Sequence, residues 1–251
     1  MTASLMPDTS DVTPTADCAS CPHRTDRLER GRCTPGDVCV RAMSGRQIAR
    51  FFSVNPDLAG VYAGDAFWER RAIAARYLSQ RRLLEMLDDP DEVVRRVLAY
   101  RLPVAELSAL VEDPDREVRI TVADRLPVEQ LERLVGDEDY LVRQYVAKRL
   151  KAGRLFRMIT DPDREVRKTV AARLPVESLG LMCHDNEAEV RRVVAERIAG
   201  DALGPLLRDS DWRVRFAACQ RAPLDALAAL PEDADEDVRA CVHERLAALR
   251  E

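Results

Sequence analysis

From Asp65 onward, apolar residues come in short runs at helical spacing, each run entered through acidic residues and commonly closed by proline. Val94 with Leu98, and Val118 with Val122, sit four apart on one predicted helix face. Ala99, Ala123, Ala147, Ala171 and Ala195 place small side chains next to that face, where helices can approach closely. Pro103, Pro127, Pro175 and Pro223 stop each run, because proline cannot continue a helix interior. A second apolar run follows; VEQLERLV over 128–135 reads as one or two turns of a shorter helix. No unit alternates with period two, so the pattern predicts helices and no sheet.

The pattern recurs every 24 residues: Asp89, Asp113, Asp137, Asp161, Asp185, Asp209 and Asp233 are evenly spaced, with Asp65 one unit earlier. Val-Arg follows each of these seven, from Val94-Arg95 to Val238-Arg239, whereas the Asp65 unit keeps only Arg71. Further along come Arg101, Arg125, Arg149, Arg173, Arg197, Arg221 and Arg245. Then come Leu107, Leu131, Leu155, Leu179, Leu203 and Leu227, each with Leu or Met three residues later. One helix pair of this size cannot bury its apolar face alone, but stacked neighbours share a continuous core. Residues 65–251 therefore read as an α-solenoid of about eight units, the first degenerate and the last truncated.

Within each unit the pairs Asp89-Pro90, Asp113-Pro114 and Asp161-Pro162 read as an N-cap followed by proline at the first helical position. The arginine of Val-Arg falls about 60° from the second core valine at 100° per residue, beside the packed seam. Its fork is expected to grip the capping Asp of its own or an adjacent unit. The later arginine, at the helix C-terminus, is expected to bond the last carbonyls. These structural roles are favoured over nucleic-acid contact. The alternative, a nucleic-acid-binding solenoid that uses its arginine rows, predicts salt-sensitive binding.

A different problem arises at CASCPHRTDRLERGRCTPGDVC, residues 18–39, which offers almost nothing apolar to bury. Cys18, Cys21, Cys33 and Cys39 are spaced C-x2-C-x11-C-x5-C, and something other than a core must order them. Zinc sites favour two short Cys pairs, and only Cys18 with Cys21 qualifies; iron–sulfur clusters accept less regular spacing. The spacing favours a cluster and keeps a zinc-stapled interaction scaffold as the alternative. His23 is expected to be an exposed loop residue, since four thiols suffice. Cys183, Cys219 and Cys241 fall on repeat positions otherwise filled by Val, Ile, Leu, Ala or Thr and are expected to be packed residues.

The repeat and the four-cysteine segment together resemble the leucine-rich repeat variant family, and the resemblance spans nearly the whole chain. It implies an all-α, right-handed solenoid in which each 24-residue unit is an α-helix followed by a short 3₁₀-type helix. It also implies a small N-terminal lobe holding a [4Fe-4S] cluster on Cys18, Cys21, Cys33 and Cys39, and a possible link to nitrogen-fixation proteins. The organisation expected is a disordered tail over 1–17, a cluster lobe and connector over 18–64, and repeats over 65–251. Ile48, Phe51 and Phe52 should anchor a helix and turn that cover the first repeat.

Composition narrows the function. With 46% hydrophobic and 33% charged residues the chain can bury a sizeable core, and no apolar run is long enough to span a membrane. The start of the sequence lacks the basic and apolar regions of a secretory signal, so a reducing cytoplasm is the expected location, where clustered cysteines bind metal more often than they form disulfides. Net charge is −5, and residues 1–64 carry as many acids as bases, so no basic tail invites nucleic acid. There is no Gly-rich phosphate loop and no nucleophile elbow, and only His23, His184 and His243 are histidines, none paired with a plausible nucleophile. A non-enzymatic protein that exchanges or senses electrons and binds a partner protein is the reading that remains. Partner contacts are expected at positions that vary between units and carry large apolar groups: Tyr140, Leu141, Trp212 and Phe216.

Overall fold

The computed structural model describes residues 17–248, so all but the last residue of the expected N-terminal tail lies outside the described chain. The chain forms two compact units, one ending at Arg125 and the other beginning at Leu126. Apart from an isolated bridge between Thr34 and Val38, the described residues contain no β-structure. None of their helices is long and apolar enough to cross a membrane.

The first unit holds the cysteine segment, α1 (Gly45–Val54), a 3₁₀-helix (Pro56–Tyr62), α2 (Trp68–Ala75), α3 (Gln80–Leu84), α4 (Glu92–Arg101), a 3₁₀-helix (Val104–Leu110) and α5 (Arg116–Arg125). Ile48, Phe51 and Phe52 of α1 are fully buried, and α1 packs on α2, as α2 does on α4 and α4 on α5. The expected helix and turn around Ile48, Phe51 and Phe52 are α1 and the 3₁₀-helix after it, both packed on α2. Val94, Leu98, Ala99, Leu102 and Leu107 expose no surface. Each large side chain buried in this way contributes about 1.5–3 kcal/mol.

The second unit continues the alternation: α6 (Tyr140–Arg149), α7 (Arg164–Arg173), α8 (Ala188–Ala195), α9 (Trp212–Cys219), α10 (Leu224–Ala228) and α11 (Glu236–Ala247). The 3₁₀-helices Val128–Leu134, Ala152–Met158 and Val176–Met182 stand in the slots marked by the leucine pairs. A turn of three residues explains the spacing, because side chains three apart eclipse each other. Leu131 and Leu134, Leu155 and Met158, and Leu179 and Met182 are accordingly all buried.

The helix starts differ from expectation. Where a side chain caps a long helix it is the second acid of the unit: Asp91 accepts from the Val93 N–H at 3.0 Å, and Asp163 accepts from the Glu165 and Val166 N–H groups at 2.8 and 3.4 Å, whereas Glu187 before the helix at 188–195 makes no such bond. Pro90, Pro114 and Pro162 precede the cap rather than open the helix. Asp89, Asp113 and Asp161 are withdrawn from capping because their carboxylates are already engaged. One oxygen of Asp89 holds the Asp91 N–H at 3.0 Å, and both oxygens take the guanidinium of Arg71 at 2.8 Å each.

That bidentate grip joins consecutive repeats and, in each pair named here, runs forward by 18 residues: Arg95 to Asp113, Arg143 to Asp161, Arg167 to Asp185, Arg191 to Asp209 and Arg215 to Asp233. The remaining nitrogen turns back onto the carbonyl of the unit's own Asp, as from Arg143 to Asp137 at 2.8 Å. The later arginines also reach across units. Arg173 donates to the carbonyls of Ala147 and Leu150, and Arg197 to those of Ala171 and Leu174, so each satisfies the end of the preceding long helix rather than its own.

Candidate metal centre

Residues 18–39 are ordered by local backbone bonds and by docking. The Cys21 N–H donates to Cys18 O and the Arg24 N–H to Cys21 O, leading into a single π turn, Arg24–Leu28, where the Leu28 N–H donates to His23 O at 3.0 Å. Gly31 at φ +64° reverses the chain toward Cys33. Gly36 at φ +80° closes the turn in which Thr34 and Val38 exchange hydrogen bonds. An L side chain is disfavoured at both glycines. The Cys39 N–H then donates to Gln47 O at 3.3 Å, tying the last thiol to α1.

Docking uses residues that sequence reasoning passed over. The fully buried Asn55, at the end of α1, donates from Nδ2 to Arg32 O at 2.8 Å and to Phe51 O at 3.0 Å. Arg27 donates to Asp57 at 2.6 Å, and this pairing holds the Asp57 carboxyl below its ordinary range. Arg70 of α2 donates to Val40 O at 2.7 Å. Asn55-Pro56 is a turn signal, but nothing in its spelling says what lies above it.

His23 departs from expectation: it is buried, with its ring on Phe51 at 5.7 Å and Nε2 hydrogen-bonded to the Tyr62 hydroxyl at 2.8 Å. The shelf made by Phe51 and Tyr62 covers the imidazole, which sequence distance concealed. Its Nδ1 faces Asp26 at 3.4 Å. Burial, with the nearby Cys21 second, pushes the Tyr62 hydroxyl up to about 12.

Cys39 is buried, while Cys18, Cys21 and Cys33 are half-buried. Burial raises the Cys33 thiol above its ordinary value, and the charges of Cys39, Cys21 and Cys18 add to the shift. Yet among the described residues no three His, Cys, Asp or Glu side chains gather tightly enough to hold one metal ion.

Comparison with known proteins identifies the segment. The iron–sulfur segment described as "LRV protein FeS4 cluster" matches residues 14–61, and the leucine rich repeat variant matches residues 68–91, 116–139 and 164–187. A solved structure described as "a leucine-rich repeat variant with a novel repetitive protein structural motif" is 58% identical and covers 93% of this chain and 100% of its own, with a TM-score of 0.89. The chain belongs to the leucine-rich repeat variant family. A second relative, an uncharacterized 27.7 kDa protein in the nifB 3′ region of Rhodobacter capsulatus, is 39% identical over 89 residues, 36% of either chain.

As a leucine-rich repeat variant with the four-iron segment, the protein binds a [4Fe-4S] cluster through its N-terminal cysteines. The other cysteines are packed inside repeats. Cys183, Cys219 and Cys241 are buried, and burial, with the adjacent Cys241 thiol second, pushes Cys219 up to about 12. Of the four residues singled out for partner contact, Trp212 and Phe216 line one open groove of about 800 Å³ with Lys168, Arg192 and Gln220. Tyr140 is exposed and Leu141 half-buried on α6, apart from that groove.

Proposed function

We propose that Cys18, Cys21, Cys33 and Cys39 are the cluster ligands and that the protein is a non-enzymatic, cytoplasmic electron carrier or redox sensor acting on a protein partner. When bound, the cluster supplies one-electron exchange. The observation that carries the reading is the half-exposed position of Cys18, Cys21 and Cys33 on a loop held to the end of α1, the 3₁₀-helix after it and α2 by polar contacts. Such a loop sets the thiols near solvent on a rigid support, the arrangement that exchange with a docking partner requires. The position of the Rhodobacter relative beside nifB supports a role in nitrogen fixation. The partner groove on α9 supplies a second contact area through Trp212 and Phe216.

The arginine rows argue against the nucleic-acid reading, since six of the Val-Arg and Arg71-type guanidinia described above are spent on aspartates and carbonyls. The deciding experiment measures iron, acid-labile sulfide and zinc on anaerobically purified protein, with the visible spectrum before and after dithionite. About four iron and four sulfide per chain, with absorption that bleaches, is the expected result; one zinc without sulfide would overturn the reading. In Cys33→Ala the cluster should be lost while helical circular dichroism survives, because the repeats carry their own core.

A further inference from the structure

Charge is distributed unevenly along the chain. Residues 18–50 carry seven arginines against three carboxylates, whereas residues 51–251 carry 32 basic against 38 acidic side chains. Within the basic stretch, Arg27 is answered by Asp26 and Asp57, Arg50 by Asp37, and Arg32 by the Val54 carbonyl. Arg24, Arg30, Arg41 and Arg46 are exposed and have no carboxylate at ion-pair distance among the described residues; Arg41 acts on Asp17 only at longer range.

These four are held close to the thiols by the chain itself. Arg24 follows Cys21 by three residues, Arg30 precedes Cys33 by three and Arg41 follows Cys39 by two. Three residues span at most about 11 Å. Arg46 adjoins Gln47, whose carbonyl takes the Cys39 N–H. A [4Fe-4S] cluster with its four thiolates carries a net charge of about −2 or −3, which offsets most of the arginine excess and leaves positive charge at the individual exposed guanidinia.

We propose that Arg24, Arg30, Arg41 and Arg46 form the rim of a docking surface for a carboxylate-rich, one-electron carrier protein. The proposal rests on the redox reading above and adds the face and the partner's chemistry. One electron leaves the carrier and enters the cluster, or the reverse, and no bond or proton need move. Complementary charge steers such encounters and aligns the two proteins while leaving the complex short-lived. A nucleic acid fits the surface less well: residues 18–50 contain no Phe, Trp or Tyr on which a base could stack, and the remaining chain is acidic and repels a long polyanion.

The test uses the anaerobic full-length holoprotein and a plant-type [2Fe-2S] ferredoxin as the acidic probe. Affinity is measured by titration calorimetry at about 20 and 200 mM salt, and electron transfer by stopped flow. Affinity should fall at least tenfold with salt. It should fall as much at low salt in Arg24→Glu/Arg30→Glu/Arg41→Glu/Arg46→Glu with unchanged iron content and helical circular dichroism. Should that variant fail to load, the four single Arg→Gln variants carry the test, each losing severalfold. No binding at low salt, binding indifferent to salt and substitution, or a variant whose loss is confined to a DNA duplex of about 20 base pairs would each overturn the docking proposal. A parent cluster that dithionite cannot reduce would instead sink the redox reading on which it stands.

Discussion

Removing one member of the Arg143–Asp161 pair should cost far more than a surface ion pair. Their side chains are 9% and 5% exposed, and two parallel bonds of 2.8 and 2.9 Å join them. Asp161→Ala strands a buried guanidinium that keeps only its bonds to the Asp137 and Glu138 carbonyls, and it frees the Asp163 N–H, held now at 2.9 Å. Loss of one partner from a buried pair costs about 3–5 kcal/mol. At 1.36 kcal/mol per tenfold, 3 kcal/mol opens the neighbouring repeats roughly 150-fold more often. Native-state hydrogen exchange, resolved to peptides within 137–173, is the suitable assay because repeat arrays need not unfold in one step. In the double variant Arg143→Met/Asp161→Leu no charge is stranded, and the Asp137 and Glu138 carbonyls and the Asp163 N–H lose a partner, at about 1–3 kcal/mol for each that stays buried. It should therefore fall short of the sum of the single changes by at least about 2 kcal/mol. An opening increase below about fivefold in Asp161→Ala, or strict additivity, would refute the reasoning.

Further expectations follow from the same geometry. Asp163→Ala removes only a helix cap and should cost about 1 kcal/mol, well below Asp161→Ala, in urea denaturation followed by circular dichroism; equal costs would show that the two acids have not divided these roles. Asp209 and Asp233 have carboxyls below their ordinary range: at Asp209 burial is the largest influence and pushes upward, but the bonds from Arg191 and the Asp211 N–H, with the charges of Arg191 and Arg215, together outweigh it, and at Asp233 the bond from Arg215 leads. A depressed native value means the unfolded chain binds protons first, so the stability these acids lend is full above about pH 4 and is lost as pH falls through their lowered values. A urea midpoint that stayed constant down to pH 2 would contradict this. Tyr62→Phe deletes the buried partner of His23 and should cost about 1–3 kcal/mol, with thermal unfolding of the holoprotein as the readout. An unchanged midpoint there would show that the His23 contact holds nothing.

The four-cysteine spelling located the candidate centre, yet its support was hidden. Asn55, Asp57, Tyr62 and Arg70 lie between 16 and 31 residues beyond Cys39 and carry no motif, because one hydrogen bond to a distant carbonyl leaves no periodic trace. His23 looked like a loop residue for the same reason: local polarity is visible in sequence, whereas the aromatic shelf that buries it comes from another segment.

In the repeats the division is cleaner. The 24-residue period, the valine and alanine face and the leucine pairs determined by themselves that units of one long and one short helix would stack, because burying a regular apolar stripe requires a neighbour of the same shape. The tertiary structure alone decided what each charged residue does. Sequence offers two acids per unit, Asp161 and Asp163 for example, and either can cap a helix. Only contact with the arginine of the preceding unit takes Asp161 for the bidentate clamp and leaves the helix to start from Asp163, two residues later than local rules placed it.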